Sequence, residues 1–377
     1  MQSPSLATVA REWGRIGCVG FGGPPAHISL LRRLVVDDRE WLAADEFEDA
    51  VAACNLLPGP ASTQLAIFCA RRVRGTTGAL VGGAAFIVPG LALILALSAL
   101  FLEASPPDWI RGAGAGMGAA VAAVAVRAAW DLLLPSRRRT QGWGSVRWVL
   151  YAAAGGVVAA TAGVWVVVVL LVCGGSELAL RRALSGPASF VPLLLAAGTG
   201  GSLSLVWTAF KVGALSYGGG FVIVPLMQGD AVGRYHWLTK SQFLNAVALG
   251  QITPGPVVQT VAAVGYGAAG LGGGLLAALV AFSPSFAFVL LGGKHFERLR
   301  ENDTARAFLA GAGPAAIGAI LGAAVPLTRA LSESWQYAVL GGAALLLLPG
   351  RRGVVVTLLA AGGVGVAVAL GGGPVPG

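Results

Sequence analysis

Two Pro-Gly-Pro triplets carry the most chemical promise in this sequence, Pro58-Gly59-Pro60 and Pro254-Gly255-Pro256. Each lies within an apolar segment beside uncharged hydrogen-bonding side chains: Asn55, Ser62, Thr63 and Gln64 at the first, and Gln251, Thr253, Gln259 and Thr260 at the second. Proline removes a backbone donor and clashes with the preceding turn, while glycine lets the chain change direction, so each triplet must interrupt a helix. Two glycine breaks accompany them. One is Phe21-Gly22-Gly23, followed by Pro24 and Pro25; the other is Tyr217-Gly218-Gly219-Gly220. A helix starting after such a break presents N–H groups and about half a positive charge, and ends of this kind bind anions. Four converging helix starts, with hydroxyl and amide donors at hand, could hold a tetrahedral dianion with few buried cations. The competing reading is that the breaks are kinks that let helices pack.

Four charged or titratable residues stand near the breaks. Arg15 and Lys211 precede their glycine breaks at matching positions, where intramembrane cations are costly and usually functional. Snorkelling to the interface is the alternative for both. His27 follows the first break and Asp49 precedes the first Pro-Gly-Pro. Either could carry a coupling proton, and His27 reads equally well as a hydrogen-bonded structural group. Arg127 and Asp131 are spaced as an i,i+4 pair and read as an ion pair at a helix end.

The elements that position these residues are membrane helices. The chain has 377 residues, of which 56% are hydrophobic and 11% charged, against about a quarter charged in soluble domains. Mean hydropathy is +0.76. Gly75–Leu102 and Trp148–Ser176 contain no charged residue, and about 20 apolar residues in a helix suffice to cross a bilayer. Backbone breaks at membrane depth must be buried in protein or line a wet cavity. The net charge of +9 comes from arginines between apolar runs, the positive-inside pattern, which excludes a nucleic-acid function. Glycine, at 57 residues, serves close helix packing, as in Gly112, Gly114, Gly116 and Gly118. The four cysteines form no metal or redox motif. No cofactor or metal is expected, no hydrolase motif is present, and no cleaved signal peptide is expected at the start of the sequence.

The breaks occur twice at a constant spacing of 196 residues: Gly22 to Gly218, Trp41 to Trp237, Pro58 to Pro254. A duplicated unit follows, with residues 1–185 as first membrane repeat, 186–202 as connecting segment and 203–377 as second membrane repeat. The links after matching segments swap sign. Arg71–Arg74 is basic and its counterpart neutral, while Glu103–Asp108 is acidic and its counterpart basic. The predicted fold is therefore an all-α polytopic membrane protein with two inverted-topology repeats and discontinuous helices. Each repeat comprises two broken helix pairs and four apolar stretches: 76–102, 109–134, 147–161 and 163–180, then 272–292, 304–328, 334–349 and 353–370. Whether the broken pairs cross the membrane or turn back as re-entrant hairpins is open at this stage. The inverted arrangement predicts alternating access, with one unit rocking against the other.

The segments FGGPPAHI (Phe21–Ile28), NLLPGPASTQLA (Asn55–Ala66), SYGGGFVIVPLM (Ser216–Met227) and QITPGPVVQTVAAVGY (Gln251–Tyr266) resemble, in order, the paired signatures of the chromate ion transporter family in its long two-domain form. The resemblance implies a secondary transporter of the inner (plasma) membrane that exports chromate in exchange for protons and confers chromate resistance. Sulfate, another tetrahedral dianion, is the alternative substrate, and a homodimer is left open. The anion-binding set expected is Gly22, Gly23, Asn55, Pro58, Gly59, Pro60, Ser62, Thr63, Gln64, Lys211, Gly218, Gly219, Gly220, Gln251, Thr253, Pro254, Gly255, Pro256 and Gln259. Arg15, His27 and Asp49 are the field-setting or coupling groups.

Overall fold

The structure is a computed structural model, and it describes residues 4–55, 57, 59–103, 105–138, 140, 142–182, 202–216, 221–292 and 302–376. Every regular element among them is helical. The first half comprises α1 (Leu6–Val19), α2 (Pro24–Arg32) with a π-helical extension Arg33–Asp38, α3 (Ala44–Cys54), α4 (Ala61–Phe101), α5 (Asp108–Arg138), α6 (Trp143–Thr161) and α7 (Val166–Arg182). The second comprises α8 (Ser202–Leu215), α9 (Ile223–Gln228) with a π-helical extension Gly229–Arg234, α10 (Lys240–Ile252), α11 (Thr260–Gly292), α12 (Asp303–Arg329), α13 (Ser334–Leu347) and α14 (Val354–Leu370). Element type and order correspond between the halves, down to the π-helical turns. Among the described residues, five helices are long and apolar enough to cross a membrane: α4, α5, α7, α11 and α12, with α7 and α11 each counted with the 3₁₀ turn before it. Most of the expected connecting segment, 186–201, lies outside the described residues, as do Pro58 and Gly218–Gly220.

Both Pro-Gly-Pro breaks are the tips of helical hairpins. In the first half, Glu46 at the start of α3 pairs with Arg72, well into α4, so the two helices run antiparallel. In the second, Gly250 lies against Thr260 and Gly267 against Leu238, which gives the same reversal of α10 on α11. The backbone thus folds back between α3 and α4 and between α10 and α11 instead of continuing through. The glycines are required there: Gly59 has φ +116° and Gly255 φ +97°, conformations hostile to any side chain. The chain also returns after the first glycine break. Arg39 reaches Glu12 at 2.7 Å and Trp41 stacks on Trp13 at 6.2 Å.

The apolar stretches sit close to the predicted boundaries, with two differences. α4 and α11 each contain a corner, at Arg74–Gly75 and Ala269–Gly270, where the hairpin arm ends and the long helix begins. α5 runs on to Arg138, so Arg127 and Asp131 lie within the helix and not at its end.

The long arms of α4 and α11 pack antiparallel, Gly83 against Phe286 and Leu95 against Gly274. Beyond them the halves interlock. α5 of the first half runs antiparallel along α14 of the second, Gly112 meeting Gly365 and Gly116 meeting Ala361. α12 runs parallel to α6, Gly318 meeting Ala152 and Gly322 meeting Gly156. A methyl group added at Gly112, Gly116, Gly318 or Gly322 would overlap a carbonyl of the other half. Small residues let backbones approach this closely in lipid. Rocking of one half against the other would have to part these seams. The grouping by contact is instead a bundle of hairpins (α1–α4 with α8–α11) beside a bundle of α5–α7 with α12–α14, each built from both halves.

Candidate functional site

The hairpin tips meet in the interior. The Gly255 N–H donates to the Gly20 carbonyl at 2.9 Å, joining the second Pro-Gly-Pro to the first glycine break. His27, fully buried, approaches the same carbonyl through Nε2 at 2.8 Å and Ser62 Oγ through Nδ1 at 3.3 Å. A carbonyl only accepts, so Nε2 carries the proton and Nδ1 accepts from the serine. The ring stands edge-on to Phe86 at 5.1 Å. Both ring nitrogens are thus occupied in tying three chain segments together.

Beside these tips lies a cavity of about 320 Å³. Its hairpin-side wall includes Gly22, Gly23, Pro24, Pro25, Ile28, Asn55 and Ala61 from the first half, and Phe221, Gly250, Gln251, Thr253, Gly255 and Val257 from the second. Three pairs in that wall, Pro25 with Phe221, Asn55 with Gln251, and Ala61 with Val257, are each separated by the 196-residue spacing. Matching positions of the two halves therefore face one space. The opposite wall comes from α5 through Val124, Arg127, Ala128, Asp131 and Leu132, with Val354 at the start of α14.

Two helices start at this cavity without a side-chain cap. Gly23, at φ +75° and ψ −159°, precedes α2, and Pro60 precedes α4. Uncapped starts retain their partial positive charge for a solute. Pro24 and Pro25 themselves lack an N–H, so α2 offers the field of its dipole with few amide donors. Gln251 is buried in the wall and its Nε2 has no hydrogen-bond partner. A buried amide donor left unsatisfied is costly.

Of the residues expected from the sequence, Gly22, Gly23, Asn55, Gln251, Thr253 and Gly255 come together on this cavity. Thr253 donates its hydroxyl proton to the Leu249 carbonyl at 2.9 Å, so only its oxygen lone pairs are left to a solute. Ser62, Thr63 and Gln64 are buried along α4 behind the tip. Gln259 donates to the Ile87 carbonyl at 2.9 Å and locks the second hairpin to α4. Gly59, Pro60, Pro254 and Pro256 shape the tips without lining the cavity. Lys211 lies apart from it, bound at 2.5 Å to buried Asp230, which also accepts from Thr208 at 2.8 Å. Arg15 is largely exposed, 3.6 Å from Glu12. Asp49 is exposed on α3, away from the cavity wall.

Arg127 and Asp131 are the site residues that the sequence reading placed elsewhere. Their i,i+4 spacing is that of any solvated helix pair. The telling signal was an arginine following a run of charge-free helix from Gly112 to Val126.

Helical hairpins converging on a polar-lipped cavity inside an apolar helical bundle define an all-α multi-pass membrane protein with interrupted helices. The family profile described as chromate transporter matches residues 7–178 and again 203–366. The chain belongs to the chromate transporter family. It is 33% identical over 330 residues to the chromate transport protein of Cupriavidus metallidurans, covering 84% of this chain and 80% of that one. It is 30% identical over 373 residues to the chromate transport protein of Pseudomonas aeruginosa, covering 92% and 89%. A probable chromate transport protein of Synechococcus elongatus is 29% identical, covering 86% and 85%. No solved structure matches the chain. Family and helix content together make it a multi-pass protein of the inner membrane.

Proposed function

We propose that this protein is a secondary transporter that carries chromate out of the cell, coupled to protons in antiport, and that the cavity at the hairpin tips is its anion site. The observation that carries the reading is the pairing of Asn55 with Gln251 in the wall of one cavity, beside uncapped helix starts and with an unpartnered amide donor. A tetrahedral dianion fits such a site: it is large, diffuse in charge and an acceptor on every oxygen. No enzymatic reaction is proposed. The names of the relatives favour chromate; sulfate, of the same shape and charge, is the second reading.

The fold is read as an inverted duplication, residues 1–185 against 203–377 joined by 186–202. Support comes from the matching element order, the antiparallel long arms of α4 and α11, and the sign swap in the links. Alternating access then moves the hairpin bundle against the α5–α7 and α12–α14 bundle, with the cavity at their boundary.

Purified protein in proteoliposomes tests the function. Chromate flux accelerated by an opposed proton gradient is expected. Flux indifferent to that gradient would remove proton coupling, flux of sulfate in preference to chromate would select the second reading, and no flux of either would end the proposal.

A further inference from the structure

The geometry points to Arg127 as the countercharge that the anion takes over from Asp131, so that the Arg127–Asp131 pair is a built-in competitor for the substrate. The inference rests on the transport reading above. Among the described residues lining the cavity these two are the charged ones, and they face the hairpin tips from the other bundle. Two half-charges from helix ends and neutral amides leave a dianion short of positive charge, and Arg127 supplies it.

Arg127 is held for this task. Its Nη1 donates to the Leu347 carbonyl on α13 at 2.7 Å, which fixes the guanidinium independently of the carboxylate. Its Nε donates to Asp131 Oδ2 at 2.9 Å. The arginine side chain is 27% exposed and the aspartate 54%. A carboxylate so solvated binds weakly and returns to water at little cost. The planar fork of donors released from it matches the edge of a tetrahedral oxyanion. Asp131 thus neutralises Arg127 in the empty carrier, and the anion displaces it on arrival.

Displacement has a sign that a structural ion pair lacks. Removing the competitor must tighten binding, whereas removing the cation must weaken it. Equilibrium binding of sodium chromate and of sodium sulfate is measured on full-length wild type, D131N, R127Q and R127K. Asp131→Asn is expected to lower Kd severalfold, Arg127→Gln to raise it more than tenfold, and Arg127→Lys to fall between, because one ammonium replaces a fork. Thermal unfolding of each variant separates folding loss from affinity loss; if R127Q does not fold, D131N decides alone. Wild-type binding with D131N unchanged or weakened overturns the inference and leaves the transport reading standing. No binding of either anion by wild type sinks the reading and this assignment with it.

Discussion

At the scale of single residues, the proposed site separates groups placed to meet a solute from groups that hold the tips. Gln251 belongs to the first kind, with a buried donor that nothing in the fold satisfies. Replacing it by Leu removes one hydrogen bond to a charged acceptor, worth about 1.5–3 kcal/mol, so chromate affinity is expected to fall about tenfold to a hundredfold while the melting temperature holds or rises. Isothermal titration and thermal unfolding check the two halves of that expectation; a lower melting temperature with unchanged affinity would make Gln251 structural. His27 belongs to the second kind. Its ring bridges Gly20 and Ser62 and supports the joint between Gly20 and Gly255. His27→Ala is expected to cost about 1–3 kcal/mol of stability from the unpaired groups left behind, visible as a lowered unfolding temperature. Lys211 and Asp230 neutralise one another in the protein interior. Breaking such a pair strands a buried charge, so Lys211→Gln is expected to impair folding more than anion affinity.

At the scale of elements, the proposed mechanism makes the hairpin tip the functional unit and its glycine the critical position. Gly59→Leu and Gly255→Leu are each expected to abolish transport with insertion intact, since φ near +100° excludes a side chain at both. Flux assays with membrane-fraction blots check this, and wild-type flux in either variant would remove the tips from the mechanism. Much of this level could be read from residues. Pro-Gly-Pro and Gly-Gly-Pro mark the breaks, and the 196-residue spacing aligns both sets. The direction of the chain after each break could not be read. It depends on which distant residue an arm packs against, as Glu46 does with Arg72, and local residue type does not encode that partner. Arg127 was obscure for a related reason: a nearby acid makes an arginine look settled, whatever stands across the cavity from it.

At the scale of the whole molecule, the glycine seams decide what can move. A glycine stripe announces close approach but not the partner, so the exchange of helices between halves was hidden in the sequence. With α5 locked on α14 and α12 on α6, the seams should stay closed throughout transport. Met117 and Gly362 face each other across the first seam, where a Cβ on Gly362 would lie 3.0 Å from Met117 Cγ. In a background free of the native cysteines, a Met117→Cys, Gly362→Cys pair lies within disulfide reach. Oxidation is expected to leave chromate flux near that of the reduced protein. Arrest on oxidation, reversed by reductant, would show that the halves slide along this seam.

The most direct measurement is a structure of the protein with chromate bound, the anion located by anomalous scattering at the chromium edge. The chromium signal is expected between the hairpin tips and α5, within hydrogen-bonding reach of Gln251 and facing Arg127. A signal at the Lys211–Asp230 pair, or at the membrane surface with the cavity empty, would contradict the site.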